Sequence, residues 1–300
     1  MENFILIAVF VTLGILFRRL EAFPPQTVQV LNTFALYVSL PAVILLKVPQ
    51  ISFTGELLVP IAVAWGALLI SAALILAFSR IFAWPRSATG VLLLVVPLGN
   101  TSFMGVPMIT AFFGEPGLRH LVVYDQFGTM LIFACYGSLI LALYGKEGSS
   151  GLRSAARRVL LFPPSVALAA GLALLPFGYP PAMERVLQSA ASALTPLVMT
   201  AIGFQLKLRI QPTLLRPLWF GLGLKLILAP LTALAICRAL GLHGLAVDVS
   251  ILEAGMPPMV TAGALAVIAG MNAELSAGLV GLGLLASFAT LPVFYWLIRF

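Results

Sequence analysis

Charge is what this 300-residue chain has least of: Asp, Glu, Lys and Arg make up 9% of it, against roughly a quarter in a soluble domain. That shortage excludes an ordinary soluble globular fold. Histidine and cysteine are scarce too, at two each, and none of the four lies at metal-ligand spacing. Cys135 and Cys237 fall inside or near the ends of apolar runs, so neither a disulfide nor a metal site is expected. The chain has no nucleophile elbow, no His-Glu-x-x-His, no acidic metal-binding motif and no carboxylates paired at catalytic spacing. With His120 and His243 both expected at the solvated edge of the membrane, acid–base chemistry would rest on Asp125 or Glu253 alone, and an enzyme is not expected. No large polar stretch marks an inserted soluble domain.

What is present is hydrocarbon. Hydrophobic residues make up 61% of the chain and its mean hydropathy is +1.10. Apolar runs of about 20 residues recur, the length that crosses roughly 30 Å of bilayer core. The first run follows Met1-Glu2-Asn3, which lacks the positive start of a signal peptide, and is read as a retained helix. Splitting the runs at charged or Pro/Gly-rich breaks predicts ten spans, at 3–17, 27–46, 57–79, 87–113, 118–145, 159–177, 182–206, 215–238, 243–270 and 275–298. The net charge of +7 does not point to nucleic acid, because the basic residues stand in short loops beside the spans. Of the 17 Lys and Arg, eleven fall in loops on one side of this ten-span plan and five on the other, with Lys225 inside a span. The positive-inside rule then predicts a multi-pass plasma-membrane protein with both termini outside.

The second half repeats the first at a shift of 156 residues. Phe23-Pro24-Pro25 returns as Tyr179-Pro180-Pro181 and Val30-Leu31-Asn32 as Val186-Leu187-Gln188. Gly99 maps onto Gly255 and Gly114 onto Gly270, while Pro41 maps onto Pro196 with a one-residue slip. The repeats are 1–145 and 159–300, joined by a polar cytoplasmic linker at 146–158. Five spans is an odd number, so the copies are expected to be inverted, as in secondary transporters.

Spans four and nine are interrupted at corresponding places, by Pro97, Gly99 and Pro107 in the first and by Gly255, Pro257 and Pro258 in the second. Proline removes a backbone donor and glycine adds freedom, so neither stretch should stay helical. Unwound backbone at membrane depth is tolerated where it is buried in protein or lines a wet cavity. Each restart also offers free N–H groups and a positive dipole end, a natural seat for a carboxylate. Asn100, Thr101 and Ser102 at the first break, and Met256, Pro257, Pro258 and Thr261 at the second, are therefore candidate substrate contacts.

These two stretches, Gly-Asn-Thr-Ser-Phe-Met-Gly-Val-Pro and Glu-Ala-Gly-Met-Pro-Pro, together with the ten-span plan, resemble the auxin efflux carrier family, which includes plant PIN carriers and bacterial malate or malonate permeases. The resemblance covers essentially the whole chain. It implies an all-α membrane protein of ten helices in two inverted five-helix repeats, with broken helices four and nine crossing. Helices one, two, six and seven would form a scaffold, which leaves room for a homodimer through them, and helices three, four, five, eight, nine and ten a mobile transport unit. It implies elevator-type carriage of a small organic anion such as malate, malonate or an auxin-like acid. Auxin itself fits less well, because the long cytoplasmic loop of many plant members is absent. In PIN carriers asparagines at the crossover contact the substrate carboxylate; Asn100 matches the first, whereas span nine offers Met256 and Met259 where the second would stand. The more distant bile-acid/sodium symporters share the plan and place an acidic residue near this crossover, which keeps a sodium- or proton-coupled symporter as the alternative.

Ionisable residues inside spans are costly and so mark candidate function. By helical rise Lys225 lies roughly 15 Å into its span, Glu253 at a similar depth beside the break, and Asp125 about 11 Å into span five, followed by Gln126, a further candidate substrate contact. Two readings of Lys225 stay open: a partner for the substrate or for a carboxylate that loads sodium or a proton, and a fixed ion pair that joins spans. Ser39 and Thr195, near Pro41 and Pro196, are candidates for the scaffold side of the cavity.

Overall fold

The computed structural model describes residues 2–24, 26–51, 55–145, 161–205 and 211–299. The linker at 146–158, and with it Lys146, Arg153, Arg157 and Arg158, lies outside the described residues, as do Lys207 and Arg209. The described residues form helices and no extended strands. Among the described residues six helices are long and apolar enough to cross a membrane: α2 (Thr27–Gln50), α3 (Gly55–Ile81), α6 (Gly117–Tyr144), α8 (Pro181–Phe204), α9 (Pro212–Ala239) and α12 (Ala273–Arg299). Between them stand α1 (Glu2–Phe17), α4 (Arg86–Val95), α5 (Gly105–Phe113), α7 (Pro163–Leu174), α10 (Leu245–Ala254) and α11 (Val260–Ile268).

The 156-residue shift reappears in the bounds of these elements: α6 opens at Gly117 and α12 at Ala273. Gly114 and Gly270, repeat mates by sequence, follow α5 and α11 with φ of 70° and 73°. Both take the left-handed backbone that glycine adopts without steric cost. The predicted fourth and ninth spans are each two helices. The first stops at Val95 and restarts at Gly105, the second stops at Ala254 and restarts at Val260.

Two hydrophobic cores flank the breaks. Val106 and Ile109 of α5 pack with Val249 and Leu252 of α10 in one. Leu92 and Val96, at the end of α4, pack with Ala262 and Ala266 of α11 in the other. The halves of each broken helix thus belong to different cores, and the breaks lie between them. Lys47, at the end of α2, forms an ion pair with Glu115 in the α5–α6 turn.

Helix α1 lies against α8 with almost no side chain between them. A Cβ built on Gly14 would sit 2.1 Å from the Thr200 carbonyl oxygen, and one on Gly203 would sit 2.1 Å from that of Val11. Small residues let membrane helices approach to backbone contact, where packing rather than hydrophobicity holds them. The obstructing atoms are backbone and cannot rotate away. Gly203→Val should therefore cost about 3 kcal/mol or more, the upper end of overpacking penalties, read as a lowered Tm in detergent. An unchanged Tm would mean that the helices separate without cost.

Candidate functional site

Proline and glycine open the backbone at both breaks, and the two openings then pair with each other. The Asn100 N–H donates to the Pro257 carbonyl at 2.7 Å, and the Met259 N–H donates to that of Leu98 at 2.9 Å. Gly99 and Pro258 face each other antiparallel between these bonds. The economy is in the prolines: Pro257 and Pro258 have no N–H, so few donors are left for the crossing to satisfy.

Beyond the crossing, residues 101–104 turn into α5, and Asp125 organises that turn. Its Oδ1 accepts from the Thr101 hydroxyl at 2.5 Å and from the Ser102 hydroxyl at 2.7 Å; its Oδ2 accepts from Gln126 Nε2 at 2.7 Å. Three of the predicted contacts, Thr101, Ser102 and Gln126, thus spend their donors on Asp125. Lys225 comes from α9 to the back of the crossing. Its ammonium donates to the Ala254 carbonyl at 3.0 Å and would lie 3.1 Å from a Cβ on Gly99. Glu253 ends α10 fully buried, with neither carboxyl oxygen hydrogen-bonded. A Cβ on Gly105 would meet those oxygens at 2.6 and 3.0 Å.

Asn100 is 5% exposed and its Nδ2 has no hydrogen-bond partner. It lines a cavity with Thr101, Ser102, Met259 and Thr261, and apolar residues close that cavity: Leu36 and Leu40 of α2, Phe103, Met130 and Phe162. The cavity is small, with room for about one water molecule. Ser39 is buried between Leu36 and Leu40 in sequence, its hydroxyl unpartnered.

The structure therefore gathers Asn100, Thr101, Ser102, Thr261, Pro257, Pro258, Asp125, Gln126, Lys225 and Glu253 at one crossing. Of the predicted contacts, Ser39, Gln126, Thr195, Met256, Pro257 and Pro258 do not line this cavity, nor does Lys225. Thr195 is half-buried on α8, and Met256 packs in the core beside Leu252. Pro97 and Gly255 lie within the unwound stretches, and Pro107 falls in the first turn of α5. His243 is exposed as expected, but His120 is buried, its Nε2 accepting from Arg119 Nε at 3.2 Å. The α5–α6 turn brings its helix back inside the protein instead of leaving the ring at a solvated edge.

Sequence reasoning missed the apolar lid formed by Leu36, Leu40, Phe103, Met130 and Phe162, since nothing separates these residues from any other hydrophobic side chain. It also missed the π-helical turns. Ser39 closes one at Ala35–Ser39, Asp125 and Gln126 open one at Tyr124–Met130, and Lys225 lies in one at Leu224–Leu228. Such turns are inserted into α-helices often at functional sites, where they re-aim a side chain.

A multi-pass helical membrane protein with a buried polar crossing of two broken helices is the class that this fold and site define. The family model for membrane transport proteins matches residues 1–295, and the chain belongs to that family, the auxin efflux carrier group that its broken spans resemble. Among similar proteins, an uncharacterized transporter of Methanothermobacter thermautotrophicus is 27% identical over 297 residues, covering 97% of this chain and 96% of its own. The uncharacterized transporter MJ1031 of Methanocaldococcus jannaschii is 25% identical over 276 residues, covering 86% and 85%. The protein is a membrane transporter.

Proposed function

We propose that this transporter is a secondary carrier that moves a small organic anion, a carboxylate, by elevator-type alternating access. The observation that carries the reading is the crossing itself. Two helix breaks hydrogen-bond to each other, and beside them a buried amide, Asn100 Nδ2, has no partner within the protein. A buried donor left unmade costs about 1–3 kcal/mol, so it is retained for a ligand that is absent part of the time. In the proposed architecture α1, α7 and the two broken pairs complete six long helices to ten crossings in two inverted repeats. Helices α1, α2, α7 and α8 form the scaffold, with both termini outside a plasma membrane and a homodimer through the scaffold compatible with it. The location of the site between two cores supports motion, because one transport unit can carry the whole crossing past Leu36 and Leu40 of the scaffold.

The test is uptake and counterflow of radiolabelled dicarboxylates and indole acids in proteoliposomes, guided by a thermal-shift screen, since a bound ligand raises apparent stability. Transport should be saturable. Asn100→Ala should abolish it while the protein keeps its fold, and undiminished transport in that variant would remove the crossing from the mechanism.

A second reading, a sodium- or proton-coupled symporter, is favoured by Glu253, a fully buried carboxyl without a hydrogen-bond donor. A cation or proton carried with the substrate would satisfy it. Uptake that follows an imposed sodium or pH gradient in the parent, and loses that dependence in Glu253→Gln, supports coupling; gradient-independent uptake removes it.

A further inference from the structure

The two hydrophobic cores draw on different parts of the protein. Every buried member of the core around α4 and α11 comes from the proposed transport unit. The core around α5 and α10 joins both units: Leu40, Ile44 and Val48 of α2 pack with Ile109 and Phe112 of α5 and Leu118 of α6. This shared core stands where α2 finishes and α6 begins, the outer end of the spans in the proposed orientation. The seam between scaffold and transport unit is thus shut at that end. Alternating access by rigid-body motion requires the same seam to part.

The rim of the closed seam carries the ion pair of Lys47 with Glu115. Its two members are unlike. Lys47 is 8% exposed, and among the described residues Glu115 is the one carboxyl that pairs with it, whereas the Glu115 side chain is mostly exposed. A charge so nearly buried is costly to leave without its partner. Glu115 is held out by a stiff turn. Gly114 takes a φ of 70°, Pro116 fixes its own φ, and the Gly117 and Leu118 N–H groups donate back to the Gly114 and Glu115 carbonyls at 3.2 and 3.1 Å. The turn therefore moves with α5 and α6, and the carboxylate cannot follow Lys47 when the units slide. On α2, Leu40 lines the cavity at the crossing, Ile44 stands four residues on and Lys47 three more. That spacing puts all three on one helix face, which runs from the cavity to the ion pair.

Resting on the elevator reading above, we infer that Lys47 and Glu115 form a latch across the seam between scaffold and transport unit, which holds the transporter shut at its outer end and opens once in every transport cycle. The Leu40, Ile44 and Lys47 face of α2 is the track from which the transport unit parts. Apolar contacts around Ile44 and Val48 close most of the seam, and the ion pair biases the balance. A pair with one exposed member shifts an equilibrium about two- to fivefold. That is enough to set where the empty carrier rests and small enough to be released on each cycle.

The test is thiol labelling of the purified full-length chain in lipid nanodiscs with a water-soluble maleimide, which needs no knowledge of the substrate. The reporter is Ile44→Cys, fully buried midway along that face and reactive only when the seam parts. Cys135, which is exposed, is replaced by serine throughout, and Cys237, buried within the transport unit, is kept as the internal control. Where opening and closing outpace labelling, the rate follows the open population. Glu115→Gln should raise the Ile44→Cys rate about two- to fivefold, and Glu115→Lys should raise it further by repulsion. Lys47→Glu in the Glu115→Lys background should bring it back toward the parent. Because Glu115 is exposed, Tm and the Cys237 rate should stay as in the parent; a pair that only supports the fold would move those instead. An Ile44→Cys rate unaltered by both Glu115 variants would overturn the latch and leave the carrier reading standing. An Ile44→Cys thiol that stays as unreactive as Cys237 in every variant would show that the units never part, and would overturn the elevator reading and the latch together.

Discussion

Gly105→Ala is expected to lower the stability of this protein and to disturb the crossing. The added Cβ would stand 2.6 and 3.0 Å from the two oxygens of Glu253, closer than real contacts allow. The obstruction is the end of a side chain, but it can turn only into packed protein. The Gly105 N–H is tied to the Asn100 carbonyl, and Asn100 is itself tied to Pro257 across the crossing. Glu253 is fully buried at the end of α10, so its carboxyl has no solvent to move into. Overpacking of this kind costs about 1–3 kcal/mol, and here relief requires the two broken helices to part. A Tm several degrees lower is expected, together with loss of ligand binding at the cavity. The check is a second change: in the Gly105→Ala background, Glu253→Ala removes the obstructing group and should recover most of the lost stability. A double variant no more stable than Gly105→Ala would mean that the glycine serves something other than the approach of Glu253.

Much of this was legible in the sequence. Proline and glycine act on the backbone locally, so the positions of both breaks followed from Pro97, Gly99, Gly255, Pro257 and Pro258 alone. Depth along a helix is arithmetic on residue number, which put Asp125, Lys225 and Glu253 near the same level before their contacts were visible. What was hidden depended on partners far away in sequence. That the Asn100 N–H donates to Pro257 is a long-range register, and no local pattern encodes it. That Thr101, Ser102 and Gln126 are spent on Asp125 follows from how α6 packs on the first break. The π turns under Ser39, Asp125 and Lys225 have no compositional signature, because one extra residue in a turn changes the ladder and leaves the hydrophobicity unchanged. The burial of His120 was missed for a similar reason: a histidine near a helix end reads as interfacial until the α5–α6 turn is seen folding it inward.

The inequality of the two helix starts was hidden by the repeat itself. A shift of 156 residues relates Gly99 to Gly255 and invites the assumption that both breaks do the same work. The structure departs from that symmetry where the side chains differ. Thr101 and Ser102 donate their hydroxyls to Asp125 at the first restart, whereas Pro257, Pro258 and Met259 at the second have no side chain that could do so; neither helix start carries a side-chain cap.

Asp125→Ala should remove the acceptor of the 101–104 turn and unsettle α5. The change leaves the hydroxyls of Thr101 and Ser102 and the amide of Gln126 without their acceptor, all in a site where Asp125, Thr101 and Gln126 are at most 3% exposed. Hydrogen bonds to a charged group are worth about 1.5–3 kcal/mol each, and shared bonds do not add fully, so a loss of about 4 kcal/mol is expected. Asp125→Asn separates hydrogen bonding from charge. Thr101 and Ser102 both donate to the same oxygen, Oδ1, which an asparagine can still supply. Its NH₂ would then face Gln126 Nε2 donor to donor, and a half-turn of the Gln126 amide presents an acceptor there instead. The asparagine variant should therefore keep most of the stability that alanine loses, read as Tm and as hydrogen-exchange protection of the α5 amides. Equal losses in the two variants would show that the charge of Asp125, and not its hydrogen bonds to the 101–104 turn, holds this half of the crossing in place.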